Sequence, residues 1–397
     1  MVTIEELYAV YTKHPVISTD TRQITPRCLF FALKGENFNG NAFADSALES
    51  GAAYAVVDDP DLKMTERHLL VPDVLVALQE LARYHRSTLT IPFIGITGTN
   101  GKTTTKELIY SVLSQHFKAF ATRGNLNNHI GVPLTVLCIT PETEIAIIEM
   151  GANHQKEIGF LCSIARPDHG LITNVGKAHL EGFGGFEGVK IAKGELYQYL
   201  SQHGGIVFVN RDNRHLAEML EQHRVKDAVS YGSGPGNYVS GRLTSQAPLR
   251  VEWQKETEVP AESESQLTGS YNFENILAAI TVGCHFGLSR EEVGRGITRY
   301  IPTNNRSQIR NTGRNTVICD YYNANPSSMS LALDNLISTT AENKSFILGD
   351  MFELGTESAS EHRQIVEKAA GIAANRKIFI GREFFAQRNS EGEFYST

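Results

Sequence analysis

Short hydrophobic runs alternate with helical patterns from the beginning of the chain. The first 88 residues contain the runs CLFFAL at 28–33, AAYAVV at 52–57 and HLLV at 68–71. Between 73 and 85 the apolar residues recur with helical spacing. This pattern predicts a small α/β domain that ends near the polar stretch HRSTLTIP at 85–92.

Longer βα repeats follow from Pro92 onwards. Four apolar runs have the length of strands: PFIGITG at 92–98, EIAIIEMG at 144–151, HGLITNVG at 169–176 and GGIVFVN at 204–210. Because these runs are continuously apolar, they predict strands buried on both faces of a mainly parallel sheet. The helical pattern at 270–286 is expected to close this domain.

A third set of runs comes after the polar stretch IPTNNRSQ at 301–308. Its members are NTVICD at 315–320, KSFILGD at 344–350 and RKIFIGRE at 376–383, separated by helical stretches. They predict a small Rossmann-like domain. The expected fold class is therefore α/β in three domains, at 1–88, 89–302 and 303–397.

Composition and charge exclude several classes of protein. The chain has 397 residues, 41% hydrophobic and 20% charged, and a net charge of −7. No broad positive field is present to attract nucleic acid or anionic lipid. The N-terminus is acidic and no apolar run approaches the ~18 residues of a membrane span, so a cytoplasmic protein is expected, without a membrane partner.

The five cysteines are scattered, without the paired spacing of a zinc site or a disulfide framework. Cys138, Cys162 and Cys319 lie in apolar surroundings and are expected to be buried thiols. Nothing in the sequence indicates an obligate assembly, so a monomer is expected.

The segment GITGTNGKTTTKE at 95–107 predicts a strand, a glycine loop and a helix. In such a loop Gly98 and Gly101 leave backbone N–H groups free to meet phosphate oxygens, Lys102 reaches the terminal phosphates, and the Thr103 hydroxyl can bind Mg²⁺. Ile96 stands where the standard phosphate loop has its first glycine. A glycine turn that caps a helix is the alternative interpretation.

Three residues downstream are candidates for metal or phosphate chemistry. Glu149 ends a predicted strand, His179 lies in a glycine-rich loop after the next strand, and Lys193 is on a predicted helix. The carboxyl ends of parallel strands are where an open α/β sheet binds ligands. Each residue alone also fits a structural role: a surface glutamate or helix cap, a structural histidine and a solvated lysine.

The polar run TRGNLNNHIGVP at 122–133 holds Asn125, Asn127 and Asn128 between glycines. Amides present donors and acceptors together, which suits recognition of a peptide or a sugar. A loop of asparagines that tolerate left-handed backbone angles is the other interpretation.

Taken together, these motifs resemble the Mur ligase family of ATP-dependent amide-forming enzymes in peptidoglycan assembly. The resemblance covers nearly the whole chain and rests on several motifs in the family's order: GTNGKTT at 98–104, EMGANH at 149–154, NVGKAHLEGFG at 174–184, AKGELY at 192–197, SYNFENILAA at 270–279, NNRSQ at 304–308 and DYYNANPSSM at 320–329.

Within the family, five stretches look most like the member that adds D-alanyl-D-alanine to a UDP-N-acetylmuramoyl-tripeptide: STDTR at 18–22, FFALKGENFNGN at 30–41, GNLNNHIGVP at 124–133, YNANP at 322–326 and GDMFELG at 349–355. The DNPR motif of the relatives that add the third residue is absent. The resemblance implies a first domain that binds the UDP-sugar peptide, a central ATPase and a third domain that brings the incoming amine.

The resemblance also assigns roles to residues, which we state as expectations. Catalysis would fall to Lys102, Glu149, His179 and Lys193. Metal binding would fall to Thr103, Glu149, His179 and Lys193, with Lys193 matching the family's carbamylated lysine. Nucleotide would be bound by Gly98, Thr99, Asn100, Gly101, Lys102, Thr103, Thr104, Asn275, Arg306 and Asp320. Substrate would be bound by Thr19, Asp20, Thr21, Arg22, Lys34, Gly35, Asn125, Asn127, Asn128, Tyr322, Asn323 and Asn325.

Two departures from the family's pattern leave alternatives open. Tyr271 stands where many members have histidine, and the chain ends at 397 without the family's late KGS-like segment, so the third domain is expected to be incomplete. The alternatives are a ligase of this type with a different incoming group, and a nucleotide-binding protein without ligase activity.

Overall fold

The computed structural model describes all 397 residues. The first 92 residues form short strands and three α-helices, with 3₁₀ turns at Thr21–Gln23 and Gly40–Phe43. The elements are α1 (Ile4–Tyr11), β1 (Ile17–Ser18), β2 (Leu29–Phe31), β3 (Lys34–Gly35), β4 (Phe38–Asn39), α2 (Ala44–Glu49), β5 (Tyr54–Val57), β6 (His68–Leu70) and α3 (Val74–Thr88).

Strands and helices alternate through the central part of the chain. They are β7 (Phe93–Thr97), α4 (Lys102–Leu113), β8 (Ala119–Ala121), α5 (Gly131–Leu137), β9 (Ile145–Glu149), α6 (Glu157–Ala165), β10 (His169–Ile172), α7 (Leu180–Phe183), α8 (Phe186–His203), β11 (Ile206–Asn210), α9 (Arg214–Gln222), β12 (Ala228–Gly232), β13 (Val239–Gln246), β14 (Leu249–Lys255), β15 (Ala261–Ser265), α10 (Asn272–His285) and α11 (Arg290–Arg299).

The remaining residues form two small sheets and three helices, with a 3₁₀ turn at Gly355–Glu357. The elements are β16 (Gln308–Asn311), β17 (Thr316–Cys319), α12 (Pro326–Ser338), β18 (Ser345–Gly349), α13 (Ser358–Ala370), β19 (Arg376–Ile380), α14 (Arg382–Ala386) and β20 (Glu393–Tyr395). No helix combines the length and the apolar character that crossing a membrane requires.

The contacts divide the chain into two compact units, of which the first contains residues 1–95, 118–150 and 159–168. Its parallel sheet has the order β1-β2-β5-β6. Cys28, Phe30 and Ala32 pack with α2 residues in an apolar core. The helix α1 begins at a capping box in which the Thr3 and Glu6 side chains bind each other's backbone N–H groups.

The second unit contains residues 96–117, 151–158 and 169–397. Strands β10, β11, β12 and β13 are parallel neighbours, and β13, β14 and β15 continue the sheet in antiparallel pairs. Helices α10 and α11 pack against α4. Near the end of the chain, β18, β19 and β20 form a parallel sheet, and β16 and β17 an antiparallel pair.

The α/β prediction is confirmed, and every apolar run named above forms a strand. Some details differ. Ten further strands were not predicted, among them β13, β14 and β15, which continue the sheet in antiparallel pairs. The helix α10 is followed by α11, which packs against α4 and β15. Cys162 and Cys319 are buried as expected, but the prediction for Cys138 is wrong: it ends α5 as an exposed C-cap residue.

Candidate active site

The loop between β7 and α4 has the geometry of a phosphate-binding loop. Strand β7 is completely buried and ends at Thr97, and α4 begins at Lys102. Gly98 has φ 144° and Gly101 has φ 78°, which side chains rarely allow. A Cβ atom on Gly101 would lie 2.6 Å from Asn275 Oδ1. The loop therefore requires glycine at this position, in front of a helix N-terminus with its partial positive charge.

Residues that follow β10 hold this loop in shape. The N–H of Thr99 donates to Asn174 O at 3.0 Å, and the N–H of Asn100 donates to Asn174 Oδ1 at 3.0 Å. Thr173 Oγ1 donates to Asn100 O at 2.6 Å. The loop backbone is thus anchored before any ligand arrives, which is the preorganisation that anion binding by backbone groups needs.

Lys102 follows the loop directly. Its Nζ atom donates to the carbonyl oxygens of Gly98 at 2.7 Å and Thr99 at 2.9 Å. These carbonyls hold the ammonium group over the loop. A terminal phosphate would compete with them for the same cation.

The side chains of Lys102, His179 and Lys193 interact electrostatically with one another. Lys193 is only 2% exposed, and burial, reinforced by Lys102, holds the pKa of its amine well below the usual range. Burial also lowers the pKa of His179, opposed by Glu353 and assisted by Lys102 and Lys193. A ligand with negative charge would relieve this mutual repulsion.

His179 is held by Glu353 in an unusual local geometry. Its Nδ1 atom contacts Glu353 Oε2, and both residues have left-handed backbone angles, with φ 49° for His179 and φ 61° for Glu353. An imidazole whose Nδ1–H donates to a carboxylate presents Nε2 as an acceptor, the usual arrangement of a metal-binding histidine. The side chain therefore fits the expected metal role.

Further contacts join the loops after β7 and β10 to α12 and α13. Asn325 Nδ2 donates to Asn100 Oδ1 at 2.8 Å, while Asn325 Oδ1 caps α12. Lys177 Nζ lies 2.6 Å from Glu361 Oε1, and its backbone N–H donates to Ser327 Oγ at 3.0 Å. Residues near 325 and 361 therefore contact the phosphate loop and the loop after β10.

The other predicted nucleotide residues of this unit lie beside α4 and in the 304–320 segment. Asn275 Oδ1 accepts a hydrogen bond from Thr105 Oγ1 at 3.0 Å. The Arg306 guanidinium lies 3.9 Å from the centre of the Tyr322 ring. Asp320 Oδ1 accepts the N–H of Ser307 at 3.3 Å. Thr104 is buried in the first turn of α4.

Two of the predicted dipeptide residues are exposed. Tyr322 is half-exposed beneath Arg306, and Asn323 Oδ1 accepts the N–H of Ala324 at 3.0 Å. Asn325 is buried and occupied with α12 and Asn100. The three residues thus face different surroundings, and their role in dipeptide binding stays a prediction.

In the first unit, Glu149 and the asparagine loop are connected. Glu149 is 1% exposed at the end of β9, and Asn127 Nδ2 donates to its Oε1 atom at 2.9 Å. Asn128 Oδ1 accepts the N–H of Gly131 at 2.9 Å at the start of α5, whereas Asn125 is exposed. Asn127 thus binds a buried carboxylate and Asn128 the start of α5, while none of the three asparagines has a left-handed backbone angle. Recognition of a peptide or sugar by this loop stays a prediction.

The other predicted substrate residues of the first unit are mostly surface groups that pair locally. Asp20 caps the turn at Thr21–Gln23 and forms an ion pair with Arg22 at 2.8 Å. Lys34 Nζ lies 2.9 Å from Asp58 Oδ1. Thr19 and Thr21 are partly exposed, and Gly35 lies in the exposed β3–β4 hairpin. Their contact with substrate stays a prediction.

Two of the four candidate metal residues, Thr103 and Glu149, have donor atoms that suit Mg²⁺. Mg²⁺ prefers hard oxygen ligands and keeps waters or phosphate oxygens in its shell, so it needs few protein ligands. The Thr103 hydroxyl and the buried Glu149 carboxylate supply such oxygens, each in its own unit. The structure contains no group of three or more His, Cys, Asp or Glu side chains that could hold a metal by themselves.

Sequence reasoning missed several residues that shape the site. They are Thr173 and Asn174, which hold the phosphate loop, Glu353, which contacts His179, and Ser307, which contacts Asp320. Asn174 carried a usable signal, because a polar residue directly after a buried strand lies at the ligand edge of a parallel sheet.

Comparison with known proteins places this geometry in a family. Three family models match in succession: "Mur ligase family, catalytic domain" at 15–86, "Mur ligase middle domain" at 96–283 and "Mur ligase, glutamate ligase domain" at 305–392. A relative from Bacillus subtilis (strain 168), named UDP-N-acetylmuramoyl-tripeptide–D-alanyl-D-alanine ligase, is 36% identical over 352 residues, covering 88% of this chain and 76% of the relative. The chain belongs to the Mur ligase family.

Other Mur ligases agree in sequence and in structure. The Escherichia coli (strain K12) protein of the same name is 35% identical over 95% of this chain and 83% of its own. A crystal structure of MurF from Acinetobacter baumannii superposes with TM-score 0.87 at 31% identity, covering 96% of this chain and 84% of that chain. MurF from Thermotoga maritima, crystallised with ADP, superposes with TM-score 0.84 at 25% identity, covering 96% and 88%. The predicted three-domain Mur ligase architecture is confirmed.

Proposed function

We propose that this Mur ligase adds D-alanyl-D-alanine to a UDP-N-acetylmuramoyl-tripeptide in peptidoglycan precursor synthesis, at the expense of ATP. The observation that carries the proposal is the glycine loop with Lys102 at the N-terminus of α4, in a chain whose relatives are named as ligases of this substrate pair. The crystal structure of a relative in complex with ADP supports nucleotide binding by this chain.

The chemistry requires that the peptide carboxylate be activated first. A carboxylate is a poor electrophile because its charge repels an amine. We propose that a carboxylate oxygen attacks the γ-phosphorus of ATP and ADP leaves, which gives an acyl phosphate. The amine of D-alanyl-D-alanine then attacks the acyl carbon, phosphate leaves with the former carboxylate oxygen, and the amine nitrogen loses its proton.

The residues of the second unit would stabilise the first of these steps. Phosphoryl transfer depends on positioning and on offsetting the charge of the phosphate oxygens. Lys102 and the N-terminus of α4 would supply positive charge at the β- and γ-phosphates, and Asn275, Arg306 and Asp320 would bind the rest of the nucleotide. Supporting this, Lys102 is already held over the loop by two carbonyls.

We propose that Mg²⁺ binds with the nucleotide and that Thr103, Glu149 and His179 are its protein ligands. When bound, this ion would offset phosphate charge. The Nδ1 contact of His179 with Glu353 supports a ligand role for Nε2. A depressed pKa leaves more of the Lys193 amine uncharged, and an uncharged amine can add CO₂ and lose a proton to become a carbamate.

The remaining assignments are proposals as well. The segment 1–88 would bind the UDP-sugar peptide through Thr19, Asp20, Thr21, Arg22, Lys34 and Gly35, with help from Asn125, Asn127 and Asn128. Segment 89–302 would bind ATP. Segment 303–397 would bring the dipeptide, through Tyr322, Asn323 and Asn325. We propose that the active species is a monomer.

A substrate-omission assay tests this function. Purified protein with Mg²⁺ should release phosphate from ATP only when the UDP-muramoyl tripeptide and D-alanyl-D-alanine are both present. Equal turnover with a single L- or D-amino acid in place of the dipeptide would show a ligase with a different incoming group. Tight ATP binding with no turnover in any mixture would show a nucleotide-binding protein without ligase activity.

A further inference from the structure

Arg306 lies in a strained turn between the central sheet and the last part of the chain. Its two neighbours, Asn305 and Ser307, have left-handed backbone angles, with φ 56° and φ 51°. Non-glycine residues adopt this conformation at a cost, and it persists where surrounding contacts enforce it. Several contacts of Ser307 enforce this turn.

Ser307 is 4% exposed and is held through its backbone and its side chain. Its N–H donates to Asp320 Oδ1 at 3.3 Å. Its Oγ atom lies 2.7 Å from Tyr271 Oη and accepts a hydrogen bond from Asn272 Nδ2 at 3.3 Å. Tyr271 Oη also lies 3.5 Å from Asp320 Oδ2. The Tyr271 hydroxyl thus contacts both Ser307 and Asp320, the residue that accepts the Ser307 N–H.

A series of hydrogen-bonded side chains connects this turn to α4, the helix that follows the phosphate loop. Thr105 Oγ1 on α4 donates to Asn275 Oδ1 at 3.0 Å, and Asn275 Nδ2 donates to Asn272 Oδ1 at 2.9 Å. Asn272 Nδ2 then reaches Ser307 Oγ. All four of these side chains are buried, so water does not compete with the bonds.

The outer side of the turn presents Arg306. Its guanidinium lies over the Tyr322 ring, and the carbonyl oxygen of Asn305 accepts the N–H of Tyr321 at 3.1 Å. The same turn therefore fixes the backbone of Arg306 on one side and its guanidinium plane on the other. Burial and the nearby Asp320 raise the pKa of Tyr271, so its hydroxyl keeps its proton.

We infer that Tyr271 is a positioning residue: its hydroxyl, through Ser307, holds the strained turn that aims Arg306 at the nucleotide. This inference rests on the proposed role of Arg306 in ATP binding. In this inference Tyr271 acts on the nucleotide through Arg306.

The test compares two Tyr→Phe variants that each remove one hydroxyl. Tyr271→Phe removes the contact with Ser307, whereas Tyr300→Phe removes a buried hydroxyl that has no hydrogen-bond partner. Loss of one such bond should raise the KM for ATP about 5- to 10-fold in Tyr271→Phe, with kcat within about 2-fold of the parent. Tyr300→Phe should match the parent. Ser307→Ala deletes the other half of the contact and should behave like Tyr271→Phe.

Two further readouts separate positioning from general loosening. If Tyr271 acts through Arg306, adding Tyr271→Phe to Arg306→Ala should raise KM no further, because the two changes are coupled. Hydrogen exchange of the Ser307 amide should be about 10-fold faster in Tyr271→Phe and unchanged in Tyr300→Phe.

The exchange measurement needs no turnover. It therefore shows whether the Tyr271 hydroxyl stabilises the turn at Ser307 even if the protein has no ligase activity. A normal ligase in which the two changes are additive, or in which the Ser307 amide exchanges at the parent rate, would overturn the inference and leave the proposed function intact.

Discussion

Lys177 Nζ lies 2.6 Å from Glu361 Oε1, in an ion pair between residues 184 positions apart. The two partners differ in exposure, because the Glu361 side chain is 5% exposed and that of Lys177 is 44% exposed. Lys177 belongs to the loop after β10, and Glu361 to α13. The pair is one of the contacts by which the last part of the chain meets the loops around the phosphate site.

The asymmetry in exposure predicts unequal effects of removing each partner. Lys177→Ala leaves a buried carboxylate without its cation and should lower the free energy of unfolding by about 2 kcal/mol. Glu361→Gln leaves only a half-exposed lysine and should cost about 1 kcal/mol or less. Urea unfolding measures both.

The exposed Arg242–Glu252 pair, at 2.8 Å with side chains 72% and 36% exposed, provides the control. Arg242→Ala should change stability by no more than about 0.5 kcal/mol. Equal losses in the Lys177 and Arg242 variants would contradict the importance of the buried carboxylate.

Glycine at position 101 is required by its backbone angle and by Asn275. Gly101→Ala would place a methyl group 2.6 Å from Asn275 Oδ1 at φ 78° and should destabilise the protein by about 1–3 kcal/mol, as well as weaken nucleotide binding. Gly234 has open space around it and no left-handed angle, so Gly234→Ala should be neutral or slightly stabilising. Thermal unfolding of the pair compares them, and similar melting temperatures would argue against the strain.

Lys102 should matter for turnover more than for folding. Its ammonium donates to the carbonyls of Gly98 and Thr99 within its own loop, and Lys102→Ala should leave the melting temperature within a few degrees of the parent. If the cation stabilises the transferring phosphate, kcat should fall by about 10²- to 10³-fold. Lys102→Arg keeps the charge but changes its geometry, so its kcat should lie between those of the parent and Lys102→Ala. Steady-state phosphate release measures kcat and the KM for ATP. A Lys102→Ala variant with a raised KM and the kcat of the parent would contradict this role.

His85 predicts a loss of stability in mild acid. It is 7% exposed, with Nε2 2.9 Å from Ile139 O and Nδ1 3.2 Å from Tyr8 Oη. Burial lowers its pKa below the ordinary value of about 6.5, partly opposed by the bond to Ile139. In mild acid the His85 imidazole binds a proton in the unfolded chain but stays neutral in the folded protein. Stability is therefore retained above pH ~6.5 and lost as the pH falls through the depressed folded pKa.

The effect of His85 is isolated by comparison with His85→Gln, because other histidines titrate in the same range. The parent should lose stability relative to this variant between pH 7 and pH 5, with a slope of at most about 1.4 kcal/mol per pH unit. Urea unfolding at several pH values gives the difference. Parallel pH profiles would mean that His85 titrates alike in the folded and unfolded chains.

Local patterns in the sequence predicted the strand, glycine loop and helix around Lys102, because the mainly apolar run Phe93–Thr97 and a glycine turn are adjacent in the chain. Strands β13 to β15 were missed. Their residues alternate between buried ones such as Val251 and Trp253 and exposed charged ones that pair across strands, such as Arg250 with Glu264. A search for continuous apolar runs passes over this alternation.

Contacts between distant residues could not be predicted from the sequence. Asn100 and Asn325 are 225 positions apart, and Thr105 and Asn275 are 170 apart, yet both pairs are hydrogen-bonded. The sequence motifs named Asn100, Asn275 and Asn325 individually, but only folding brings them together. Ser307 and Glu353 lie in the motifs NNRSQ and GDMFELG, but sequence reasoning assigned neither a role, because their partners Asp320 and His179 lie elsewhere in the chain.

An oxygen-transfer measurement tests the central claim most directly. The UDP-muramoyl tripeptide, labelled with ¹⁸O in the carboxylate that forms the amide, is incubated with ATP, Mg²⁺ and D-alanyl-D-alanine, and the released phosphate is analysed by ³¹P NMR. Activation through an acyl phosphate predicts one ¹⁸O atom in the phosphate for each amide formed, and no net phosphate release without the dipeptide. Unlabelled phosphate, or release that ignores the dipeptide, would contradict the proposed reaction.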